Sequence, residues 1–207
     1  MSLNFRKIPI IQGLPQKVIF KIGPPCSGKG VEGLALKHLH GKRRYLGRLT
    51  MRDVLKEKMS RDAEFRNLVQ QCERDGVLVP NTHICKILAE MHRHHRIPHK
   101  VLFFDGMPRD PEQVEIIAHM FQRTTVFVSE NYASPAHLRE VFLSTVDSPD
   151  RAGRLDAKLV THNERVELYE SHLPAIKRSI EKYGWKYGTC DATLPLSERV
   201  VHLQKFI

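Results

Sequence analysis

The sequence predicts an α/β fold, a three-layer sandwich in which helices cover both faces of a central five-stranded parallel sheet. Two observations support this prediction. Five short segments with strand character, most of them apolar, alternate with longer segments of helical periodicity, at 18–23, 44–49, 101–106, 124–129 and 186–192. Strands that alternate with crossover helices form parallel sheets covered on both faces. A glycine-rich segment also follows the first run directly, where a strand would pass into a helix.

Apolar residues recurring every three to four positions predict the helices between these strands. The predicted helices span 29–40, 50–59, 62–75, 81–95, 110–122, 134–145, 156–183 and 195–206. A length of 207 residues is sufficient for one domain. We expect a core formed by 16–49, 81–145 and 157–207. Two insertions, a helical hairpin at 50–80 and a short charged loop at 146–156, are placed to close over a bound ligand.

Composition limits the class of protein and of partner. Hydrophobic residues make up 41% of the chain and charged residues 27%, which is ordinary for a soluble globular protein. No apolar run reaches the roughly 20 residues of a membrane span, and the N-terminus lacks a signal-peptide pattern. We therefore expect a cytoplasmic protein without a membrane partner. The 33 basic residues exceed the 23 acidic ones by 10, which favours polyanionic ligands such as nucleotides or nucleic acid.

The cysteines and histidines do not form an evident metal or disulfide pattern. Four cysteines are scattered without a C-x-x-C pair, so reduced thiols are the preferred interpretation. Cys26 lies in the glycine-rich segment near a helix start, where the pKa of a thiol can fall, and a reactive thiol is the alternative. His92, His95 and His99 could share a helix face and bind a metal. Without acidic or cysteine partners, they are better interpreted as a solvated basic helix end.

The segment GPPCSGKG at 23–30 predicts a phosphate-binding loop. Gly23 and Gly28 allow the tight turns that bring backbone N–H groups close to phosphate oxygens. Lys29 can reach the outer phosphates of a nucleoside triphosphate, and the following helix adds its positive dipole end. Gly30 and Val31 follow the lysine in place of a serine or threonine, so we expect no hydroxyl ligand to Mg²⁺ from this position.

Two further segments place charged groups beside this loop. The strand at 101–106 ends in DGMPRD, where Asp105 can hold Mg²⁺ directly or through water and Arg109 points to the same cleft. Arg151, Arg154 and Arg165 follow in a basic segment around the start of the long helix. Phosphoryl transfer depends on positioning and on neutralising the transferred group, and several converging arginines suit that chemistry.

These segments together resemble one family. GPPCSGKG, GVLVP, FFDGMPRDPEQ and GRLD…NERVELY occur in the order found in the adenylate kinase family of nucleoside monophosphate kinases. The resemblance extends from about residue 16 to residue 207 and includes the spacing of Arg154, Asp156, Arg165 and Tyr169. The short loop at 146–156 matches the short-lid form. The resemblance implies a P-loop NTPase-like fold, a monomer, and transfer of the γ-phosphoryl group of MgATP to a nucleoside monophosphate, with AMP expected.

The resemblance also implies roles for individual residues. Asp105 would organise the water shell of Mg²⁺. Arg139 would stack on the adenine of ATP and Gln113 would hydrogen-bond the adenine of AMP. The catalytic group would consist of Lys29, Arg109, Arg154 and Arg165. The ATP site would comprise Gly23, Pro24, Pro25, Cys26, Ser27, Gly28, Lys29, Gly30, Val31 and Arg139. The monophosphate site would comprise Met51, Lys56, Gly76, Leu78, Val79, Gly106, Arg109, Gln113, Arg154 and Arg165.

The chain departs from the family pattern mainly on the acceptor side. Met51, Arg52 and Lys56 stand where the family has a threonine, a glycine and an arginine. Lys56 retains the charge but lacks the bidentate fork of arginine. Ala157 replaces the second acid after Arg154, and Val31 replaces a hydroxyl residue. Two alternatives therefore stay open. One is a UMP/CMP-type kinase. The other is a nucleotide-dependent RNA-binding or regulatory module, although no RNA-binding motif is visible and we expect no nucleic-acid partner.

Overall fold

A computed structural model of the chain describes residues 15–40, 45–94, 100–148 and 159–207. The strands are Lys17–Ile22 (β1), Leu46–Thr50 (β2), Val101–Asp105 (β3), Thr125–Tyr132 (β4) and Lys186–Asp191 (β5). The helices are Lys29–His40 (α1), Met51–Arg61 (α2), Ala63–Arg74 (α3), Asn81–His94 (α4), Pro111–Met120 (α5), Pro135–Thr145 (α6), Leu159–Lys182 (α7) and Leu196–Gln204 (α8).

The five strands form one parallel sheet in the order β2-β3-β1-β4-β5. This arrangement confirms the predicted α/β fold. β1 lies at the centre, and in its register Lys21 is flanked by Asp105 of β3 and Ser129 of β4. In open parallel sheets, ligands bind outside the carboxyl ends of the strands. The loop after β1 and the residues that follow β3 meet at this edge.

Alternate side chains of β1 enter two different cores, one on each face of the sheet. Val18 and Phe20 pack in the larger cluster, together with residues of α4, α5 and α7. Ile19 packs in the smaller cluster, with Leu36 of α1 and Leu203 of α8. The two-residue alternation explains why a strand buried on both sides reads as a continuous apolar run. Each of these buried side chains stabilises the fold by roughly 1.5–3 kcal/mol.

Side-chain caps fix the start of the two helices that follow β2. The Thr50 hydroxyl accepts a hydrogen bond from the Asp53 N–H at 3.0 Å, and the Asp62 carboxylate accepts one from the Phe65 N–H at 2.9 Å. Such caps contribute about 1 kcal/mol each. Gly76, with φ of 70°, follows the end of α3. These helices occupy the predicted insertion at 50–80, and the division into core, insertion and lid remains a prediction.

The structure corrects several predicted boundaries. β4 is longer than the predicted strand 124–129, because polar residues continue it: Glu130, Asn131 and Tyr132 pair with Thr189, Cys190 and Asp191 of β5. β2 ends at Thr50 rather than at residue 49. The predicted helix 110–122 is shorter in the structure, and α7 ends at Lys182, one residue before the predicted end of the helix 156–183. Most of the predicted lid, 149–156, and His95 and His99 lie outside the described residues. No described helix combines the length and apolarity that crossing a membrane requires.

Candidate active site

The segment between β1 and α1 has the backbone of a tight, glycine-dependent loop. Gly23 and Gly28 have φ values of 145° and 79°. Cys26 has a φ of 67°, a left-handed conformation that is uncommon for a residue with a side chain. Strained conformations of this kind concentrate at functional sites. The backbone at 23–28 therefore has the tight turns expected of the loop predicted at 23–30, whose binding of phosphate stays a prediction.

The side chain of Lys29 folds back into this loop and hydrogen-bonds to it. Its Nζ donates hydrogen bonds to the carbonyl oxygens of Gly23 at 2.8 Å and Pro24 at 2.6 Å, and to Ser27 Oγ at 3.2 Å. Burial lowers the pKa of Lys29 from 10.5 to about 8, against the opposing attraction of the Asp105 carboxylate. The ammonium group is thus held at the centre of the loop, where phosphate oxygens could replace the carbonyl partners.

Asp105 ends β3 beside the first turn of α1. A Cβ placed on Gly30 would lie 3.9 Å from Asp105 Oδ2 and 4.0 Å from Nη2 of Arg48. Burial raises the pKa of Asp105, whereas the positive charges of Lys29, Arg109 and Arg48 act in the opposite direction. Arg48 was not among the sequence candidates, because a charged residue within a short strand resembles a solvated edge position.

The donor set at Asp105 fits a hydrated Mg²⁺ ion better than a protein-only metal site. Among the described residues, no group of three or more histidine, cysteine or acidic side chains could hold a metal. Mg²⁺ usually keeps several waters and is held by one or two carboxylates together with substrate phosphates. A single carboxylate next to a candidate phosphate-binding loop is consistent with this requirement.

Arg109 is positioned by the turn that follows β3. Gly106 has a φ of 94°, and its carbonyl oxygen accepts a hydrogen bond from Arg109 Nε at 2.9 Å. The Arg109 backbone N–H donates to Gln113 Oε1 at 2.9 Å, and Gln113 Nε2 donates to Asn81 Oδ1 at 3.0 Å. His172 Nδ1 of α7 donates to the Arg109 carbonyl oxygen at 3.1 Å. The turn is therefore anchored to α4, α5 and α7.

A cleft of about 390 Å³ lies between the loop, the β3 turn, the α2–α3 pair and α7. The predicted residues that line it are Gly23, Pro25, Lys29, Lys56, Gly76, Leu78, Val79, Gly106, Arg109 and Arg165. Arg52, which the sequence analysis noted only as a departure from the family pattern, also lines it, and the lining residues that sequence reasoning missed include Leu55, Met59, Val69 and Glu73. Helical spacing could have indicated Leu55 and Met59, since they lie on the same face of α2 as Arg52 and Lys56.

Other predicted site residues among those described are not part of the cleft lining. Met51 is 3% exposed and packs in the larger core cluster. Gln113, also 3% exposed, uses both ends of its amide in the contacts to Arg109 and Asn81.

Two further predicted residues lie on the surface: Arg139 is exposed on α6, and Val31 is exposed on α1. Arg154 lies outside the described residues. Pro24, Cys26, Ser27, Gly28 and Gly30 belong to the loop and the first turn of α1.

Cys26 contacts the long helix α7. Its Sγ lies 3.8 Å from Nδ1 of His162, a buried histidine whose ring stacks on Phe142 of α6 with centroids 4.6 Å apart. All four cysteines are free thiols. The contact links the loop to α6 and α7, and sequence reasoning could not detect it because the two residues are 136 positions apart.

The buried carboxylate of Glu130 also joins the end of β4 to α7. The Tyr169 hydroxyl donates to Glu130 Oε1 at 3.3 Å, and Lys177 Nζ lies 3.0 Å from Glu130 Oε2. Burial raises the pKa of Tyr169 far above its usual value, and the Glu130 carboxylate adds to this shift. Tyr169 also lines the cleft, so this contact connects its wall to the sheet.

Curated proteins similar to this chain are adenylate kinases. The chain is 27% identical over 154 residues to an adenylate kinase of Parabacteroides distasonis, covering 74% of this chain and 77% of that protein. It is 28% identical over 103 residues to an adenylate kinase of a Hydrogenobaculum species, covering 50% and 46%. It is 24% identical over 168 residues to adenylate kinase isoenzyme 1 of Oryctolagus cuniculus, covering 81% and 82%.

No protein-family model matches the chain. The similarity to the curated proteins nevertheless extends over most of its length, and the parallel sheet and the loop geometry agree with it. The chain is therefore related to the adenylate kinase family.

Proposed function

We propose that this chain is a nucleoside monophosphate kinase that transfers the γ-phosphoryl group of MgATP to AMP and yields two ADP. One observation carries the proposal: Lys29, Arg109 and Arg165 come from three separate elements and line the same cleft. Phosphoryl transfer needs positioning and charge neutralisation more than covalent chemistry. The relationship to adenylate kinases supports the same reaction class.

The loop end of the cleft would hold the triphosphate. The amides of 23–28 and the positive end of α1 suit phosphate oxygens, and Lys29 is already centred among the loop carbonyls. Mg²⁺, when bound with ATP, would neutralise charge on the transferred group, and Asp105 is the residue that would orient its water ligands. The exposed guanidinium of Arg139 on α6 is the candidate for stacking on the ATP adenine.

The other end of the cleft would hold the monophosphate. Along the whole cleft, the described lining residues include five cationic side chains, Lys29, Arg52, Lys56, Arg109 and Arg165, against one carboxylate, Glu73. This balance suits two phosphorylated substrates. The apolar side chains of Leu55, Met59 and Val69 offer a surface for a nucleobase. The attacking group is a phosphate oxygen of the monophosphate itself, so no enzyme nucleophile is needed.

Water must be kept from the transferred group, because ATP would otherwise be hydrolysed. The α2–α3 pair already forms one wall of the cleft. The segment 146–156, with Arg151 and Arg154, is proposed to close over the ATP end of the cleft. This closure would bring Arg154 to the transferred phosphoryl group.

Coupled formation of ADP from MgATP and each of AMP, CMP, UMP and GMP tests the proposal, with Lys29→Met as the blank. We expect turnover to be highest with AMP. A preference for UMP or CMP would retain phosphoryl transfer and correct the acceptor. Binding of ATP without transfer to any of the four acceptors would contradict the kinase. Affinity for RNA that falls steeply with salt would then favour the binding module.

A further inference from the structure

A closed set of buried hydrogen bonds lies directly under the candidate phosphate-binding loop. Asn131 Nδ2 of β4 donates to the Ser27 carbonyl oxygen at 2.6 Å and to Glu32 Oε1 at 2.5 Å. Arg199 Nη1 of α8 donates to the same two acceptors, at 3.4 Å and 2.7 Å. Two donors and two acceptors therefore form a ring, which we call the anchoring ring.

The anchoring ring is excluded from water and carries charge. Glu32 and Asn131 are fully buried, Ser27 is 1% exposed and Arg199 is 8% exposed. Glu32 Oε2 also lies 2.9 Å from Nζ of the fully buried Lys21. Buried charges of this kind are strongly destabilising when a partner is removed, so the geometry is held firmly. The ring thus joins α1, β4 and α8 to a single loop carbonyl.

That carbonyl determines the direction of the next amide. A trans peptide is planar, and its C=O and N–H point in opposite directions. Because the ring holds the Ser27 carbonyl toward the protein interior, the Gly28 N–H points away from the interior. Arg199 also packs against Gly28 so closely that a Cβ there would overlap Nη1. Gly28, with φ of 79°, is therefore held both by its preceding peptide and by direct contact.

We propose that Asn131 and Arg199 are positioning residues that orient the Ser27–Gly28 peptide so that the loop amides bind the phosphates of a nucleoside triphosphate. This inference rests on the proposed function, because it takes the loop as the triphosphate site. It adds two residues, from β4 and α8, that do not themselves line the cleft. Preorganised backbone amides bind anions more tightly, because no free energy is spent on reorganising the loop at each binding event.

Equilibrium binding of ATP and of AMP to the full chain tests the proposal. We expect Arg199→Met and Asn131→Ala each to raise the Kd for ATP about tenfold, the size expected for losing a hydrogen bond to a charged group. The Kd for AMP should change less than about twofold, since the effect acts through the loop. Combining both variants should raise the Kd for ATP by less than the product of the single effects, because both act on one peptide.

Two variants separate positioning from general destabilisation. Val200→Ala removes a neighbouring buried side chain of α8 that packs in the smaller core cluster, so it should lower the melting temperature and leave the Kd for ATP unchanged. Arg199→Lys keeps the charge opposite Glu32 but loses the planar fork, so its Kd for ATP should fall between those of wild type and Arg199→Met. This variant also serves if Arg199→Met does not fold.

An unchanged Kd for ATP in folded Arg199→Lys, Arg199→Met and Asn131→Ala would overturn the proposal. So would an equal effect of Val200→Ala, or an equal loss of ATP and AMP affinity in the ring variants. Wild-type protein that binds ATP without transferring phosphate would contradict only the kinase, and the comparison of ring variants would still decide this inference. Wild-type protein that does not bind ATP would contradict both.

Discussion

The loop end of the cleft is held by buried contacts, whereas the α2–α3 end presents side chains to the open cleft. At the loop end, Lys29 has three hydrogen-bond partners, and Ser27 is tied into a fully enclosed ring. At the other end, Lys56 is exposed and Arg52 is half-buried on one face of a helix. The rigid loop end suits the phosphates of the donor, which are the same in every nucleoside triphosphate. The more open α2–α3 end suits the acceptor nucleotide, whose base can differ. Substitutions at the loop end should therefore abolish the reaction, and those at the α2–α3 end should change substrate preference.

The largest expected effect is that of Lys29→Met. Removing the central ammonium group of the loop should lower kcat by about 10²- to 10³-fold, because the loss of one preorganised donor that stabilises transition-state charge typically lowers kcat by about that factor. Coupled ADP formation measures the effect, and circular dichroism should show an unchanged fold. Wild-type turnover in this variant would show that the loop is not the site of transfer.

Arg109→Ala should have the next largest effect. Loss of the planar guanidinium at the β3 turn should lower kcat/KM for the monophosphate by about 10²-fold, with less change in KM for ATP. Arg61→Ala is the matched control, since Arg61 is an exposed arginine of α2 that pairs with Glu57 and does not line the cleft. Equal losses in the two arginine variants would remove Arg109 from the site.

A pH profile tests the lowered pKa of Lys29. Because its pKa is lowered to about 8, the ammonium group is charged below pH 7 and loses its proton as the pH rises above 8. We expect kcat/KM for ATP, which reports the free enzyme, to fall about tenfold per pH unit above this value. A profile that stays flat to pH 9.5 would show that the loop lysine remains charged.

The smallest expected effect lies at the α2–α3 end. Lys56→Arg should lower KM for AMP about three- to tenfold, because arginine can bind a phosphate with two parallel hydrogen bonds. KM for ATP should stay unchanged. Lys58→Arg, on the same helix but paired with Glu90 and Asp62, is the control. If both substitutions gave the same KM for AMP, Lys56 would have no contact with the acceptor's phosphate.

Features carried by neighbouring residues were predicted well. All five predicted strands are present. Continuous apolar runs indicated β1, β3 and β4, because these inner strands are buried on both faces, whereas the edge strands β2 and β5 are partly exposed and carry more polar residues. Glycine spacing indicated the loop, because only certain backbone angles allow its turns and Gly23 and Gly28 have them. The placement of Lys29, Arg109 and Arg165 along one cleft agrees with the candidate set, although their roles remain predictions.

Features that depend on distant contacts could not be obtained from local patterns. Glu130 and Asn131 appeared to end a strand because they are polar, yet pairing with β5 continues the strand through them. Gln113 matches the family position implied to bind the adenine of AMP, and that role stays a prediction; its contact with Asn81, 32 positions away, is one that no local pattern indicates.

Local patterns of hydrophobicity, glycine and charge were enough to predict the α/β sheet, the tight turns of the loop after β1 and the basic residues along the cleft, since each depends on residues a few positions apart. The anchoring ring needed the folded chain. It joins Ser27 and Glu32 to Asn131 and Arg199, across 99 to 172 positions. A lone charged residue such as Lys21 or Arg199 gives no sign of its partner in the sequence. Its buried charge is stable only once the sheet and α8 have brought that partner within hydrogen-bonding distance.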